Sequence, residues 1–165
     1  MLSLAERIRG KYMIEKTSQR SRELFNSGYY WGEAVLLSVA ESENIQSDVL
    51  PKIATGLCAG ISRTCGTCGA VIGAIMAINL IYGRSAPEES LESNFAVVQR
   101  FINKFESEFG SINCKQLTDC DLGTEEGQTT FKENKLVEQC KDYTEAATKI
   151  AMSIIADVSW VTLLK

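Results

Sequence analysis

The run from Gly69 to Tyr82 contains no charged residue. Small or apolar side chains occupy every face, so this segment must be surrounded by other elements. A bilayer span needs about 20 apolar residues. The run is shorter than that and contains Asn79, so it reads as a buried core helix over about 68–82. Gly69, Gly73 and Ala77 recur every four residues and let neighbouring helix backbones approach. Nothing elsewhere alternates apolar and polar residues long enough to propose a sheet. Both prolines, Pro51 and Pro87, read as first-turn residues of helices.

The remaining helices follow from caps and periodicity. Ser3 and Glu6 form a capping box that starts a first helix, which stops at Asn26-Ser27-Gly28. Its middle, Glu15 to Arg22, is almost entirely polar, so it is expected to break or lie at the surface. A second helix runs from about Tyr30 to Glu43, with Trp31, Ala34 and Val35 on one face and Leu36, Leu37, Val39 and Ala40 widening it. A short helix follows Ser47. Leu91, Phe95, Val98, Ile102, Phe105 and Phe109 form one stripe on a helix from near Pro87 to Gly110. Leu136, Cys140, Tyr143, Ala147, Ile150 and Ile154 form another. The expected fold is all-α: one domain over 1–165, a compact bundle whose central apolar helix is flanked by two long amphipathic helices. The two stripes suit a monomeric core or a homodimer seam equally.

At 165 residues and 45% hydrophobic, the chain can bury a core. Its net charge of −4 supplies no basic excess to neutralise phosphates, which argues against nucleic acid as a partner. No membrane insertion is expected. The opening Met1 to Glu6 lacks a basic segment followed by an apolar one, so a cytoplasmic address is the default. Histidine is absent, which removes Cys–His dyads and imidazole metal sites. Six cysteines remain, in a setting where persistent structural disulfides are unusual.

Three of them, Cys58, Cys65 and Cys68, crowd the glycine-rich turn before the apolar helix. A helix starting at Cys68 directs unpaired N–H groups and a positive dipole end at that sulfur, which favours thiolate. Cys65-Gly66-Thr67-Cys68 is a C-x-x-C, whose helical advance would bring both thiols onto one face for exchange. Cys58 reads as a small apolar core residue or a third thiol. Cys114 follows Ser111-Ile112-Asn113 at a short helix start, and Cys140 faces inward with its stripe. Cys120, between Asp119 and Asp121, should hold its proton and be incidental. Arg63 is the nearest fixed cation. Glu33 and Glu41 read as solvated carboxylates.

Three readings follow. Cys68 exchanges disulfides with Cys65, Cys114 or Cys140 resolving it, and an unidentified redox protein or small thiol serves as partner. Alternatively, Cys65, Cys68, Cys114 and Cys140, with Cys58 as a further candidate, hold Zn²⁺, Cu(I) or an iron–sulfur cluster; the C-x6-C-x2-C spacing fits no common ferredoxin pattern. In the third, the cysteines are inert in a structural or partner-binding bundle.

Cys68-Gly69-Ala70-Val71-Ile72-Gly73, Tyr82-Gly83-Arg84, Phe109 to Thr118, and Cys140 with Ala146-Ala147 together resemble the family written C_GCAxxG_C_C, over about 20–148. The resemblance implies a small helical protein with four recurring cysteines, proposed to be redox-active or metal-binding. Cys68, Cys114 and Cys140 match three of them. Trp31 stands where the family usually has the fourth, and Cys65 or Cys58 would restore a thiol from the other side.

Overall fold

The computed structural model describes residues 3–163, with side chains described as far as residue 157. The fold is all-α. Its elements are α1 (Leu4–Asn26), α2 (Trp31–Ser42), α3 (Leu50–Thr55), α4 (Cys58–Arg63), α5 (Gly69–Tyr82), α6 (Glu92–Phe109), α7 (Cys114–Thr118), α8 (Glu125–Glu133) and α9 (Val137–Leu163). Among the described residues, extended pairing is limited to one antiparallel bridge, Thr67 with Asn113. No described helix is long and apolar enough to cross a membrane.

Helix α5 packs against α2, α9, α6 and α4, and its most extensive contact is with α2. Glycine makes that contact possible. A Cβ on Gly73 would lie 2.4 Å from the Gly32 carbonyl oxygen, and one on Gly32 would lie 2.8 Å from that of Gly69. The four-residue spacing on α5 anticipates a close neighbour, and Gly32 at the start of α2 is that neighbour. Phe101 and Phe105 of α6 and Ala147 and Ile154 of α9 are fully buried and belong to the same core as Val71 and Ile78.

Three expectations change. Helix α1 is unbroken through its polar middle, and Thr17, Ser18 and Ser21 are buried there. Their hydroxyls donate to backbone carbonyls: Thr17 to Met13 at 2.8 Å, Ser21 to Ser18 at 2.7 Å, and Ser18 across to Glu145 at 3.2 Å. Thr144 and Thr148 on α9 are also buried and bond back to their own helix. Small satisfied hydroxyls thus let α1 and α9 pack closely without an apolar stripe.

Helix α6 starts at Glu92, and Pro87 lies in the preceding turn, where Glu89 N–H donates to Ala86. Its deeply buried face is Asn94, Val97, Phe101 and Phe105, whereas Leu91 and Phe95 are exposed. The departure from the predicted stripe is at its N-terminal end, where Asn94 donates to Asn79 at 2.8 Å, while Val98, Ile102 and Phe109 still pack against the core. The C-terminal stripe on α9 is buried from Cys140 to Ile154.

Helix α4 is not right-handed. Ala59, Gly60, Ile61, Ser62 and Arg63 have φ of 52°, 63°, 57°, 52° and 67°. Left-handed helical geometry costs a non-glycine residue about 1–2 kcal/mol. The turn is held by Ser62 Oγ donating to Gly56 at 2.7 Å, Thr64 Oγ1 to Ile61 at 2.8 Å, and Gly66 N–H to Gly60 at 2.9 Å.

Candidate functional site

The strained turn presses directly on a cysteine. A Cβ on Gly60 would lie 2.6 Å from Cys114 Cβ. Beyond the turn, Cys65 to Cys68 is not helical, and Thr67 pairs with Asn113 in the segment before α7. Cys68 N–H donates to Ile112 at 2.7 Å, Cys114 N–H donates to Gly66 at 2.9 Å, and Asn113 Nδ2 donates to Cys65 at 2.7 Å. This pairing brings Cys68, at the entrance to α5, next to Cys114, at the entrance to α7. Cys140 arrives from the inward face of α9. The three thiols line one cavity of about 10 Å³ with Trp31, Leu117 and Tyr143, room for one water at most.

Cys68 receives the N–H groups of Ala70 and Val71, as its place at a helix entrance predicts. Those groups favour thiolate, but burial outweighs them and raises the thiol above its ordinary value. The predicted low-pKa thiolate is therefore reversed in the reduced protein: a charge enclosed by apolar side chains loses more hydration than two N–H groups return. Burial also raises Cys114, to about 12, with the neighbouring Cys68 and Cys65 adding to it. Cys140 is pushed up by burial and by Cys68 and Cys114. Trp31 Nε1–H is buried without a hydrogen-bond partner among the described residues, yet lies close enough to Cys140 to favour its thiolate.

Cys65 faces elsewhere. Its backbone has φ 60°, and its Sγ donates to Asp121 Oδ1 at 3.1 Å, while Lys115 bonds the other carboxylate oxygen at 3.0 Å. Hydrogen bonding to Asp121 raises the Cys65 thiol, with burial and the aspartate charge adding. The C-x-x-C is thus not a helical pair sharing one face. Cys120 is buried and donates to Gly127 at 2.8 Å. Burial raises it first, and Asp121 and Asp119 add in the expected direction.

Cys58 is buried in the core, and its Sγ donates to the Ala54 carbonyl at 3.5 Å. The N–H groups of Gly32 and Glu33, in the first turn of α2, approach its sulfur, although burial again keeps the thiol protonated. It neighbours Cys68 closely enough to raise that thiol. Sequence spacing hid this, because Gly32 and Glu33 come from a different helix. Arg63 is turned from the thiols toward α8, where it donates to Gln128 at 3.4 Å. Glu33 is buried, not solvated: its carboxylate accepts from Tyr30 N–H at 2.9 Å and from the Thr55 hydroxyl. Glu41 is at the surface, paired with Arg20 at 2.7 Å.

Among the described residues, no group of three or more His, Cys, Asp or Glu side chains is arranged to hold a metal ion. The donors Cys65, Cys68, Cys114 and Cys140 do not form one ligand set in this arrangement, since Cys65 is engaged by Asp121.

An all-helical fold that gathers buried thiols at helix entrances defines a cysteine-centred bundle. Residues 29–154 match the family described as "Putative redox-active protein (C_GCAxxG_C_C)", and the chain belongs to that family. No curated protein and no solved structure matches it.

Proposed function

We propose that the protein carries out thiol–disulfide exchange through Cys68, with Cys114 or Cys140 as its buried partner and Cys65 as an outer thiol. The observation that carries this reading is the meeting of Cys68, Cys114 and Cys140 around one small cavity. Cys68 and Cys114 flank the antiparallel Thr67–Asn113 bridge, one residue beyond it on each segment. In a chain without histidine, a thiolate must be favoured by other surroundings, and the N–H groups of Ala70 and Val71 do this at Cys68, against the burial that raises it. Exchange proceeds by attack of that thiolate on a disulfide sulfur and resolution by a second thiol.

The test is reversible oxidation of the full chain followed by intact mass and peptide mapping. Wild-type protein should lose two hydrogens per oxidised pair and regain them with reductant. Cys68→Ser should abolish the change. Unaltered reversible oxidation in that variant would remove the reading.

A further inference from the structure

A cleft of about 570 Å³ opens beside the thiol cluster, between α2, the left-handed turn and α8. Its size is that of a small-molecule site. Phe25, Trp31, Leu122 and Phe131 give it apolar walls, and among the described residues Arg63 and Lys132 are the charged side chains lining it, with no carboxylate beside them. Trp31, Ala59 and Leu122 line both this cleft and the small cavity, so one layer of residues separates them.

The cysteines divide between the two spaces. Cys58 lines the cleft and Cys68 lines the cavity. The backbones at this point are in contact: a Cβ on Gly69, the residue after Cys68, would lie 2.9 Å from Cys58 Cα. That closeness suits the short Cα separation a disulfide requires. The first-turn N–H groups of α2 face Cys58 and those of α5 face Cys68, so both sulfurs of the pair have donors for a transient anion.

We infer that the cleft binds a small disulfide with an apolar or aromatic body and a carboxylate, and that Cys58 is the thiol that meets it, with Cys68 resolving. This rests on the exchange reading above and adds its entry thiol and substrate class. Cys58 loses its proton to solvent and attacks one sulfur of R–S–S–R. That S–S bond breaks, and the first R–S⁻ leaves and takes up a proton. Cys68, deprotonated in turn, attacks the Cys58 sulfur of the mixed disulfide. The Cys58–Cys68 bond forms as the second thiolate leaves and is protonated. The chain loses two hydrogens and the ligand disulfide, which is the oxidant, gains both. Arg63 and Lys132 hold the carboxylate at the rim.

The probe is dithiobis(nitrobenzoate), an aromatic disulfide bearing carboxylates, mixed with the reduced full chain. Thionitrobenzoate release is followed by absorbance and the product by peptide mapping. The expected result is a burst releasing two thionitrobenzoates per chain and leaving a Cys58–Cys68 disulfide. Cys68→Ser should stop at one, with the probe retained on Cys58. Arg63→Ala with Lys132→Ala should slow the burst about tenfold, while the rate with uncharged dithiodipyridine changes less than about twofold. Mapping of the wild-type burst to another cysteine would overturn the inference whatever the variants do, and equal slowing with both probes would overturn the carboxylate assignment. If Cys58→Ser reacts like wild type while Cys68→Ser does not, the cleft assignment falls and Cys68 exchange stands. If neither substitution alters the disulfide formed, both fall.

Discussion

Gly73 on α5 meets Gly32 on α2 with no room between them: a Cβ on Gly73 would lie 2.4 Å from the Gly32 carbonyl oxygen and 2.7 Å from its Cα. The contact is backbone against backbone, so no side-chain rotation relieves it. It also fixes the first turn of α2, whose N–H groups face Cys58.

Gly73→Ala is therefore expected to destabilise the protein by about 1–3 kcal/mol, the usual range for overpacking. Gly10 is the contrast. It lies in the interior of α1 and an added Cβ meets nothing within 4 Å, so Gly10→Ala should stabilise by about 0.5–1 kcal/mol through helix propensity. Urea unfolding of both variants checks the pair, and equal effects would contradict the close crossing.

Gly60→Ala should disturb Cys114 before it disturbs the fold at large. The new Cβ meets Cys114 Cβ at 2.6 Å, and Gly60 has φ of 63°. The expected outcome is faster alkylation of Cys114 together with a stability loss of about 1–3 kcal/mol. Ala59→Gly, at φ of 52° in the same turn, should instead gain up to about 1 kcal/mol by relieving left-handed strain. Site-resolved iodoacetamide labelling and unfolding curves separate the two.

Stability should fall in alkali. Cys114 is raised from 9.0 to about 12 in the folded protein, mainly by burial. Above its ordinary pKa the unfolded chain releases a proton that the folded chain keeps, so stability is fully present below about pH 9 and is lost as pH rises toward about 12. Cys58, Cys68 and Cys140 are raised as well and act in the same direction. Urea midpoints of reduced protein measured across this range should decline, and Cys114→Ala should flatten the decline even if it lowers the starting value.

Asp121→Asn should activate Cys65. The aspartate accepts the Cys65 thiol proton and raises its pKa by hydrogen bonding and by charge. Removing the charge leaves Lys115 without its ion-pair partner, next to a sulfur that now ionises more readily. Alkylation of Cys65 near neutral pH should rise several-fold. No change would mean that the aspartate does not restrain this thiol.

Much of the fold was legible locally. The capping box at Ser3 and Glu6, the Gly69–Tyr82 helix, the stop at Gly110 and the inward face carrying Cys140 each follow from short-range pattern. What misled was polarity taken without packing. Thr17, Ser18 and Ser21 looked solvent-facing, but hydroxyls that donate to nearby carbonyls can be buried at little cost. Leu91 and Phe95 looked internal, but the core took Asn94 and Val97 instead.

The candidate site divides in the same way. Sequence alone determined that imidazole is absent and six thiols are present, and that Cys68 opens a helix whose N–H groups face it, because composition and helix termini are local properties. The tertiary structure decided which thiols meet. It joined Cys68 to Cys114 through a backbone bridge, brought Cys140 from α9, set Cys58 on the first turn of α2, and turned Cys65 toward Asp121. It also decided that these thiols rest protonated, since the cost of hiding a charge depends on everything packed around it, and most of that comes from distant parts of the chain.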